Sequence, residues 1–284
     1  MSNLKIFIDL TRLNKPIGFM LLFWPCSWGL AYAYLYNQNL NLFIYYLILF
    51  FLGSVLMRSA GCIFNDIVDK DYDKKISRTK VRPIASSKIT VKRSLIYVFI
   101  LCLFAFLILL QFNFFTILLG MGSMFLAFSY PFMKRITYWP QLFLGITFNW
   151  GIVMAWASIS NNVSSEILIL YLSAIFWTLG YDTIYGAQDM SDDEIIGIKS
   201  TSIKFKKNIN LFISTVYCIS VGLLVFLFKG FIGLNIFSFF LLLFILSLVY
   251  QILSISKKSK NFLKLFKFNN YSGLFLFLGI YFIN

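Results

Sequence analysis

The sequence predicts an all-α membrane protein, a polytopic bundle of about nine transmembrane helices around a central cavity. The 284-residue chain is 60% hydrophobic and only 13% charged, whereas roughly a quarter of the residues in a soluble domain are charged. Its apolar residues form runs near the length of about 20 residues that spans a bilayer. Nearly all basic residues fall between alternate pairs of these runs. A large soluble core is thereby excluded.

Nine spans follow from the apolar runs. They lie at residues 17–36, 43–64, 92–111, 114–130, 139–159, 166–185, 208–228, 231–252 and 269–283. Tight hairpins are predicted at Gln111 to Asn113 and at Lys229-Gly230. The ninth run is the shortest. No linker or low-complexity segment interrupts the series, so residues 1–284 are expected to form a single domain.

The basic residues predict the orientation of these spans. Of the 25 Lys and Arg residues, 23 lie on one side of the membrane if nine spans alternate. They include the loop from Lys70 to Arg93 and the segment from Lys257 to Lys267. By the positive-inside rule this side is cytoplasmic. The formal net charge of +14 is therefore mostly a consequence of topology, and nucleic acid is not an expected partner.

Four carboxylates and an amide lie where the second span ends. The members of this first acidic cluster are Asn65, Asp66, Asp69, Asp71 and Asp73. Residues four apart share one face of a helix, so Asn65, Asp69 and Asp73 are expected to line up. Carboxylates stacked in this way repel each other unless a cation binds between them. Mg²⁺ typically takes one or two carboxylates together with phosphate oxygens.

A second acidic cluster lies at the end of the sixth span. It comprises Asp182, Asp189, Asp192, Asp193 and Glu194, so the two clusters hold nine of the eleven acidic residues. Both are predicted on the cytoplasmic side, and the other loops are nearly free of acids. The chain has no His, which excludes imidazole as a base or metal ligand. Its four Cys form no CxxC pair, so neither a disulfide nor a zinc site is expected.

The two clusters resemble the signature of a known family. Asn65-Asp66-x-x-Asp69-x-x-x-Asp73 resembles the NDxxDxxxD motif of the UbiA superfamily of intramembrane aromatic prenyltransferases. The stretch from Tyr181 to Asp193 resembles the DxxYxxxDxxxD motif of that family. The nine-helix layout of the family, with cytoplasmic motif loops, agrees with the predicted spans. The resemblance implies Mg²⁺-dependent transfer of a prenyl group from an allylic diphosphate to an aromatic ring.

Three further stretches resemble the branch whose acceptor is 4-hydroxybenzoate, the ring-prenylating branch of ubiquinone synthesis. They run from Arg12 to Gly18, from Tyr130 to Arg135 and from Gly197 to Thr201. The implied partners are polyprenyl diphosphate, 4-hydroxybenzoate and the lipid bilayer. Other aromatic acceptors remain an alternative, because the acidic motifs are shared within the family. A cation or phosphate transporter is the alternative from another class, although transporters place their sites near the midplane of the membrane.

The resemblance also assigns roles to the acidic residues. The predicted metal-binding set is Asn65, Asp66, Asp69, Asp73, Asp182, Asp189 and Asp193, with one Mg²⁺ on each motif and the diphosphate between them. Asp66 and Asp182 have an alternative role, in which they orient the ligands or cationic side chains. The predicted catalytic set is Asp69, Asp73, Asp189, Asp193 and Tyr185. The Tyr185 ring is expected to face the carbocation, which aromatic faces attract.

Arg78, Arg82 and Lys199 are the predicted diphosphate-binding cations, because they follow the two motifs closely. The alternative for each of them is that it is an ordinary basic residue of a cytoplasmic loop, which contributes only to the orientation of the protein in the membrane. Arg58 lies seven residues before Asn65, two turns deeper on the same helical face. An intramembrane arginine needs a partner.

For Arg58 that partner is either the substrate or a carboxylate of the second cluster, and Asp182 would form a structural ion pair. The acceptor carboxylate is expected to bind Arg135, with Lys134 as the alternative, since an arginine matches a carboxylate bidentately.

The N-terminal stretch predicts the compartment. The first apolar run follows Asp9, Arg12 and Lys15 without a small-residue cleavage site, and the stretch before it is too short for an Arg- and Ser-rich transit peptide. We therefore expect a multi-pass protein of the bacterial inner membrane, with its N-terminus and both acidic motif loops in the cytoplasm.

Overall fold

A computed structural model of the protein describes residues 3–255 and 261–283, and within these ranges the regular structure is helical. Nine long helices are α2 (Ile17–Asn37), α3 (Leu40–Val68), α5 (Val91–Leu109), α6 (Phe114–Ile136), α7 (Pro140–Ser160), α8 (Ser165–Gly186), α11 (Ile209–Leu227), α12 (Ile236–Ile255) and α13 (Phe262–Tyr281). Four short helices are α1 (Asn3–Thr11), α4 (Lys70–Asp73), α9 (Met190–Ile195) and α10 (Thr201–Lys204). Lys257, Lys258 and Lys260, which the charge analysis counted, lie outside the described residues.

Polar side chains mark where five of the long helices begin. Asn39, Thr90, Asn113, Ser164 and Asn261 each accept a hydrogen bond from the backbone N–H three residues later. Such caps satisfy N–H groups that have no partner within the helix. For four of them the apolar runs follow directly after the caps, and the sequence places the starts of those helices well; the helix after Asn261 is the exception.

The ninth predicted span differs from the structure in its start. Eight helices of the described ranges are long and apolar enough to cross a membrane, and α13 is not among them. It begins at Phe262 rather than residue 269, because Asn261 caps it and the polar first half of the helix is anchored by the buried residues Leu265 and Asn269. Asn269 is fully buried, accepts a hydrogen bond from Trp177 Nε1 at 3.0 Å and donates one to Gln251 Oε1 at 2.9 Å. The predicted class, a helical membrane bundle, is confirmed.

Two other boundaries also move. The second span extends to Val68, so Asn65 and Asp66 belong to α3 itself. The eighth span begins at Ile236 rather than residue 231, because Asn235 caps it by accepting from the Ser238 N–H at 2.9 Å. The junction after α11 is therefore longer than the predicted tight hairpin.

The packing order of the helices leaves a space on one side of the bundle. Helix α2 packs against α3, α7 and α13, while α8 packs between α7 and α11. Helix α5 packs on α3, and α6 packs on α7. Although α5 and α6 are consecutive, they barely touch each other. The space enclosed by these helices holds the candidate site.

Candidate active site

A cavity of about 1450 Å³ lies among α2, α3, α5, α6, α7, α8 and α13. Polar residues of both acidic motifs line one part of it, and apolar side chains such as Phe50, Leu109 and Met121 line another. Pockets for a single drug-sized molecule are roughly 300–1,000 Å³. The cavity therefore has room for a long apolar ligand beside a second, smaller molecule.

The first acidic motif forms a nearly continuous helical stack. Although α3 ends at Val68, the Asp69 N–H donates to Asn65 O at 2.9 Å and the Asp73 N–H donates to Asp69 O at 2.8 Å. The Asn65 amide donates to Asp69 Oδ2 at 3.0 Å. All three side chains line the cavity. The structure thus brings together the three residues that helical spacing predicts on one face.

Cationic side chains from other elements face this stack. Lys134, in the last turn of α6, contacts Asp69 Oδ2 through its ammonium group. Arg82 Nη1 lies 2.8 Å from Asp73 Oδ2. Asp69 is buried, and its Oδ1 accepts no hydrogen bond from the described part of the chain, although Arg135 Nη2 lies 3.8 Å from it. One carboxylate oxygen of this site is therefore available to a ligand.

The structure places Asp66 away from the cavity, and its predicted role as a metal ligand stays a prediction. Asp66 is 1% exposed and does not line the cavity. Its Oδ1 lies 2.5 Å from Arg12 Nη2 and 3.1 Å from Arg82 Nη1. One position after Asn65, the side chain turns about 100° away from the shared face. Asp66 instead holds two arginines at the cavity wall, the alternative role that the sequence left open.

Arg12 is a cavity residue that sequence reasoning missed as a site residue. The sequence did contain an indication that Arg12 is a site residue, because Arg12 is the first residue of the first of the three stretches used to assign the branch. Its backbone φ of 57° lies in the left-handed region, which non-glycine residues adopt infrequently.

The second acidic motif faces the first across the cavity. Helix α8 ends at Gly186, and the Asp193 N–H then donates to Asp189 O at 2.9 Å. Arg78, from the segment after α4, reaches across to Asp189, where its Nε donates to Oδ1 at 2.7 Å. The Arg78 guanidinium also lies 5.9 Å from the centre of the Tyr185 ring. Asp189, Asp193 and Tyr185 all line the cavity, as the motif predicts.

Arg58 and Asp182 lie deeper in the cavity. Each precedes the first ligand position of its motif by seven residues, which is about 10 Å at 1.5 Å per residue. Asp182 therefore lies deeper than Asp189, although both line the same cavity, and its place in the metal-binding set stays a prediction. Within the described residues, the predicted ion pair between Arg58 and Asp182 does not form.

Arg58 forms no close ion pair in the described structure, although it interacts electrostatically with Asp182. Its Cζ lies 5.3 Å from the centre of the Phe148 ring, and its buried Nε has no hydrogen-bond partner among the described residues. Helix α2 approaches it closely through Gly18, where a Cβ would lie 2.9 Å from Arg58 Nε. The guanidinium is thus held in place while part of its hydrogen-bonding capacity stays unused.

Arg135 and Lys199 do not line the cavity, in contrast to the prediction. Arg135 Nη2 donates to the Val68 carbonyl at 2.7 Å, and its guanidinium lies 5.0 Å from the Tyr72 ring centre. Lys199 Nζ donates to the Ile136 carbonyl at 3.2 Å. Carbonyls at helix ends lack intrahelical partners, and they accept from both side chains. Arg135 Nη2 also lies 3.8 Å from Asp69 Oδ1, so its guanidinium stays beside the first stack. Lys134, the alternative to Arg135, does line the cavity.

The acidic environment changes the titration of Asp193, which lies in α9 beyond the membrane-spanning part of α8. Burial raises the pKa of Asp193 to about 6, and the nearby carboxylate of Asp189 adds to this effect. Lys134 and Arg78 act in the opposite direction. Near neutral pH, Asp193 is therefore a carboxylate that takes up a proton readily when the medium becomes slightly acidic.

The donor set suits an ion that the protein shares with a phosphate ligand. Within residues 3–255 and 261–283, no three His, Cys, Asp or Glu side chains converge closely enough to hold an ion alone. Mg²⁺ is commonly held by one or two carboxylates plus substrate phosphates rather than by an all-protein cage. Asp69 Oδ1, which accepts no hydrogen bond among the described residues, and the oxygen-rich stack fit that mode of binding.

Known proteins resemble the chain over most of its length. It is 47% identical over 203 residues to the mitochondrial 4-hydroxybenzoate polyprenyltransferase of Caenorhabditis elegans, covering 71% of this chain and 56% of that protein. It is 44% identical over 204 residues to the 4-hydroxybenzoate octaprenyltransferase of Hydrogenovibrio crunogenus, covering 72% and 70% respectively. The chain spans a little over half the length of the mitochondrial relatives that it matches.

Solved structures share the fold. A UbiA homologue from Aeropyrum pernix superposes with a TM-score of 0.74 at 22% identity, covering 92% of this chain and 95% of that one. A UbiA homologue from Archaeoglobus fulgidus, bound to GPP and Mg²⁺, superposes with a TM-score of 0.70 at 16% identity, covering 98% and 99%. A sequence profile of the UbiA prenyltransferase family matches residues 22–274. The chain, with both acidic motifs on one intramembrane cavity, belongs to the UbiA prenyltransferase family.

Proposed function

We propose that the protein transfers a polyprenyl group from an allylic polyprenyl diphosphate to position 3 of 4-hydroxybenzoate and releases pyrophosphate, a step of ubiquinone biosynthesis. The observation that carries this proposal is the arrangement of two acidic motifs, each paired with cations, on one part of a cavity whose remainder is apolar. Relatives named for this reaction, at 44–47% identity, support the choice of acceptor.

The reaction exchanges one bond for another. The allylic carbon–oxygen bond breaks, and pyrophosphate leaves with the electron pair. The ring carbon next to the hydroxyl forms a bond to the allylic carbon, and that ring carbon then gives its proton to the released pyrophosphate. Negative charge grows on the leaving group, so cations placed beside it stabilise the transition state more than the ground state.

The residues around the two motifs are suited to bind the diphosphate. Asn65, Asp69 and Asp73 would hold one Mg²⁺, and Asp189 and Asp193 a second, which would supply charge neutralisation on the leaving group. The cations Arg78, Arg82 and Lys134 are each paired with one of these carboxylates. When a diphosphate is bound, they lie within reach of its oxygens as well.

Arg58 is the best-placed residue for the acceptor carboxylate. It lines the cavity about two helical turns below the diphosphate site, and its buried Nε has no hydrogen-bond partner in the described structure. A guanidinium that already lies in the membrane gains a counter-charge when a benzoate binds. Arg135, the residue first predicted for this role, donates to a backbone carbonyl outside the cavity.

The apolar part of the cavity suits the prenyl chain. Side chains of α5 and α6 line it, and these two helices barely touch each other, so a long chain can extend between them into lipid. The rings of Tyr130, Phe148 and Tyr185 line the polar part. Their faces would attract the allylic cation and exclude water from it.

The positive-inside pattern supports an orientation with the acidic motifs in the cytoplasm. The bacterial relative, and the basic loops that share one side with both motifs, support a bacterial inner membrane. Reactivity of single cysteines at Lys75 and at Gly233, towards an impermeant maleimide in sealed inverted vesicles, tests this orientation. Labelling at position 233 alone would contradict it.

A competition between acceptors tests the proposed substrate. Membranes containing the protein receive an allylic diphosphate, Mg²⁺ and equal amounts of 4-hydroxybenzoate, homogentisate and 1,4-dihydroxy-2-naphthoate, and the products are identified by mass spectrometry. We expect 4-hydroxybenzoate prenylated at position 3 as the main product. Preference for another ring would overturn the acceptor but leave the reaction class intact.

Replacing Asp66 with asparagine should affect the donor diphosphate rather than the metal. Without its charge, Arg12 and Arg82 lose their common partner, and we expect the KM for the donor to rise by about tenfold, or about 1.4 kcal/mol. The Mg²⁺ concentration for half-maximal activity should stay within about twofold. A rise in that concentration as large as the one caused by Asp69→Asn would instead make Asp66 a metal ligand.

The raised pKa of Asp193 predicts a pH-dependent requirement for Mg²⁺. Because the proton and the metal compete for this carboxylate, the apparent affinity for Mg²⁺ should fall as the pH drops below about 6. Above pH 7 the group is already ionised, so the affinity should level off. Half-saturating Mg²⁺ measured from pH 5 to pH 8 checks this, and Asp193→Asn should remove this dependence. A flat wild-type profile would contradict the assignment.

A further inference from the structure

The stretch Gly197 to Thr201, used above to assign the branch, contains no side chain that the proposed reaction uses. We call residues 197–202 the strap. It follows the second acidic motif directly and ends in α10. Gly197 turns the chain with a φ of +77°, in the left-handed region where glycine is favoured. The next residues return towards the ends of α6, α7 and α8.

The backbone of the strap contacts two residues of the proposed diphosphate site. The Ile198 N–H donates to the Asp193 carbonyl at 2.9 Å, and the Lys199 N–H donates to the Lys134 carbonyl at 2.9 Å. Lys134 lies in the last turn of α6, where carbonyls lack partners within the helix. Through these two bonds the strap joins the element that carries Lys134, the partner of Asp69, to the element that carries Asp193.

The far end of the strap is anchored in a buried polar cluster. The Thr201 N–H donates to Gln141 Oε1 at 3.0 Å, and the Thr201 hydroxyl lies 2.7 Å from the Thr183 hydroxyl. The Thr183 hydroxyl already donates to the Leu179 carbonyl at 2.6 Å, so Thr201 is the donor of the pair. Both threonines are fully buried.

Close approach of the strap to α8 depends on Gly186. Ser202 Oγ donates to the Thr183 carbonyl at 2.8 Å, and a Cβ at position 186 would lie only 2.7 Å from that Oγ. A helical glycine costs about 1 kcal/mol relative to alanine. The structure shows what the glycine permits, namely the seating of α10 against the end of α8.

We propose that the strap is a positioning element of the reaction, in which Thr201 and Gln141 fix the distance between Lys134 and Asp193 and so between the two acidic motifs. The inference rests on the proposed function, because it assumes that both residues face one diphosphate. Thr201 does not line the cavity, and Gln141, which does, has its Oε1 engaged by the Thr201 N–H. They act through the backbone of residues 197–200, and a displaced strap would weaken diphosphate binding before it affected the fold.

The test compares three threonine variants of the full chain, purified in lipid nanodiscs. Thr201→Val keeps the shape but removes the hydroxyl, Thr201→Ser keeps the hydroxyl, and Thr215→Val is the matched control. Thr215 is exposed on α11 and its hydroxyl donates to the Leu211 carbonyl. The readouts are the KM for an allylic diphosphate, the Kd of its unreactive thiolodiphosphate with Mg²⁺ by calorimetry, and the melting temperature.

For Thr201→Val we expect the KM and the Kd each to rise by about tenfold, while Thr201→Ser and Thr215→Val stay within about twofold. Should Thr201→Val fail to fold, Ser202→Ala removes a neighbouring bond of the same anchor and is expected to raise both values about threefold. A Kd unchanged in the variant that folds, or no rescue by serine, would overturn the positioning role. If the wild type forms no prenylated ring, the proposed function fails, and the strap is judged on the Kd alone.

Discussion

Replacing Asp69 with alanine is expected to lower the rate of prenyl transfer by about 10²–10³-fold, the usual effect of removing one group that stabilises developing charge. Asp69 is at the centre of the first stack, where Asn65 donates to its Oδ2 and Lys134 contacts the same oxygen. Its other oxygen is buried without a hydrogen-bond partner in the described structure. The variant therefore loses a proposed metal ligand and the counter-charge of Lys134 at once.

A matched control distinguishes this role from a general loss of acidic charge. Asp71 belongs to the same cluster but is exposed and pairs only with Lys74, at 3.2 Å, among the described residues. Such exposed pairs contribute little to stability, and Asp71→Ala should keep activity within about twofold of the wild type. Steady-state rates at saturating Mg²⁺ measure both variants. Equal losses in both would show that the stack has no special role.

Replacing Arg58 with methionine is expected to lower kcat/KM for 4-hydroxybenzoate by about 30- to 100-fold and to leave the donor KM within about twofold. The expected size of this loss in kcat/KM follows from the strength of hydrogen bonds to charged groups, each of which contributes about 1.5–3 kcal/mol. The methyl ester of 4-hydroxybenzoate, which has no carboxylate charge, separates the interaction from other effects. The wild type should discriminate strongly between acid and ester, and Arg58→Met should not.

Arg135→Met is the paired control, because Arg135 lies outside the cavity and donates to the Val68 carbonyl. We expect little change in its use of 4-hydroxybenzoate. If Arg135→Met loses the acceptor selectively while Arg58→Met does not, the carboxylate binds where the sequence first placed it. In that case the Arg135 side chain would have to move into the cavity when 4-hydroxybenzoate binds.

The helices and the acidic stacks were accessible from the sequence because both depend on local periodicity. Apolar runs and their polar caps define where helices such as α6 and α8 begin. Spacing of four residues alone places Asn65, Asp69 and Asp73 on one face. The same periodicity turns Asp66 away from that face and puts Asp182 two turns deeper than Asp189, so spacing alone separates both from the other predicted ligands of their motifs.

The directions in which long side chains near the helix ends point cannot be predicted from local periodicity. Arg135 lies in the last turn of α6 and Lys199 follows the second motif, as ligands of a diphosphate would, yet each donates to a backbone carbonyl nearby. Arg12 joins Asp66 across 54 positions, a contact that no local pattern predicts. The start of α13 was misplaced for a related reason, because the partners that bury Asn269 lie on α8 and α12.

The most direct test of the central claim is the reaction of purified wild-type protein in detergent, where no ion gradient exists, with an allylic diphosphate and 4-hydroxybenzoate, followed with and without Mg²⁺. We predict equal amounts of pyrophosphate and of 3-prenylated 4-hydroxybenzoate when Mg²⁺ is present, and neither product after chelation. An intact diphosphate in the presence of Mg²⁺ would contradict the account and favour a transporter. Consumption of the diphosphate without a ring product would contradict the proposed acceptor.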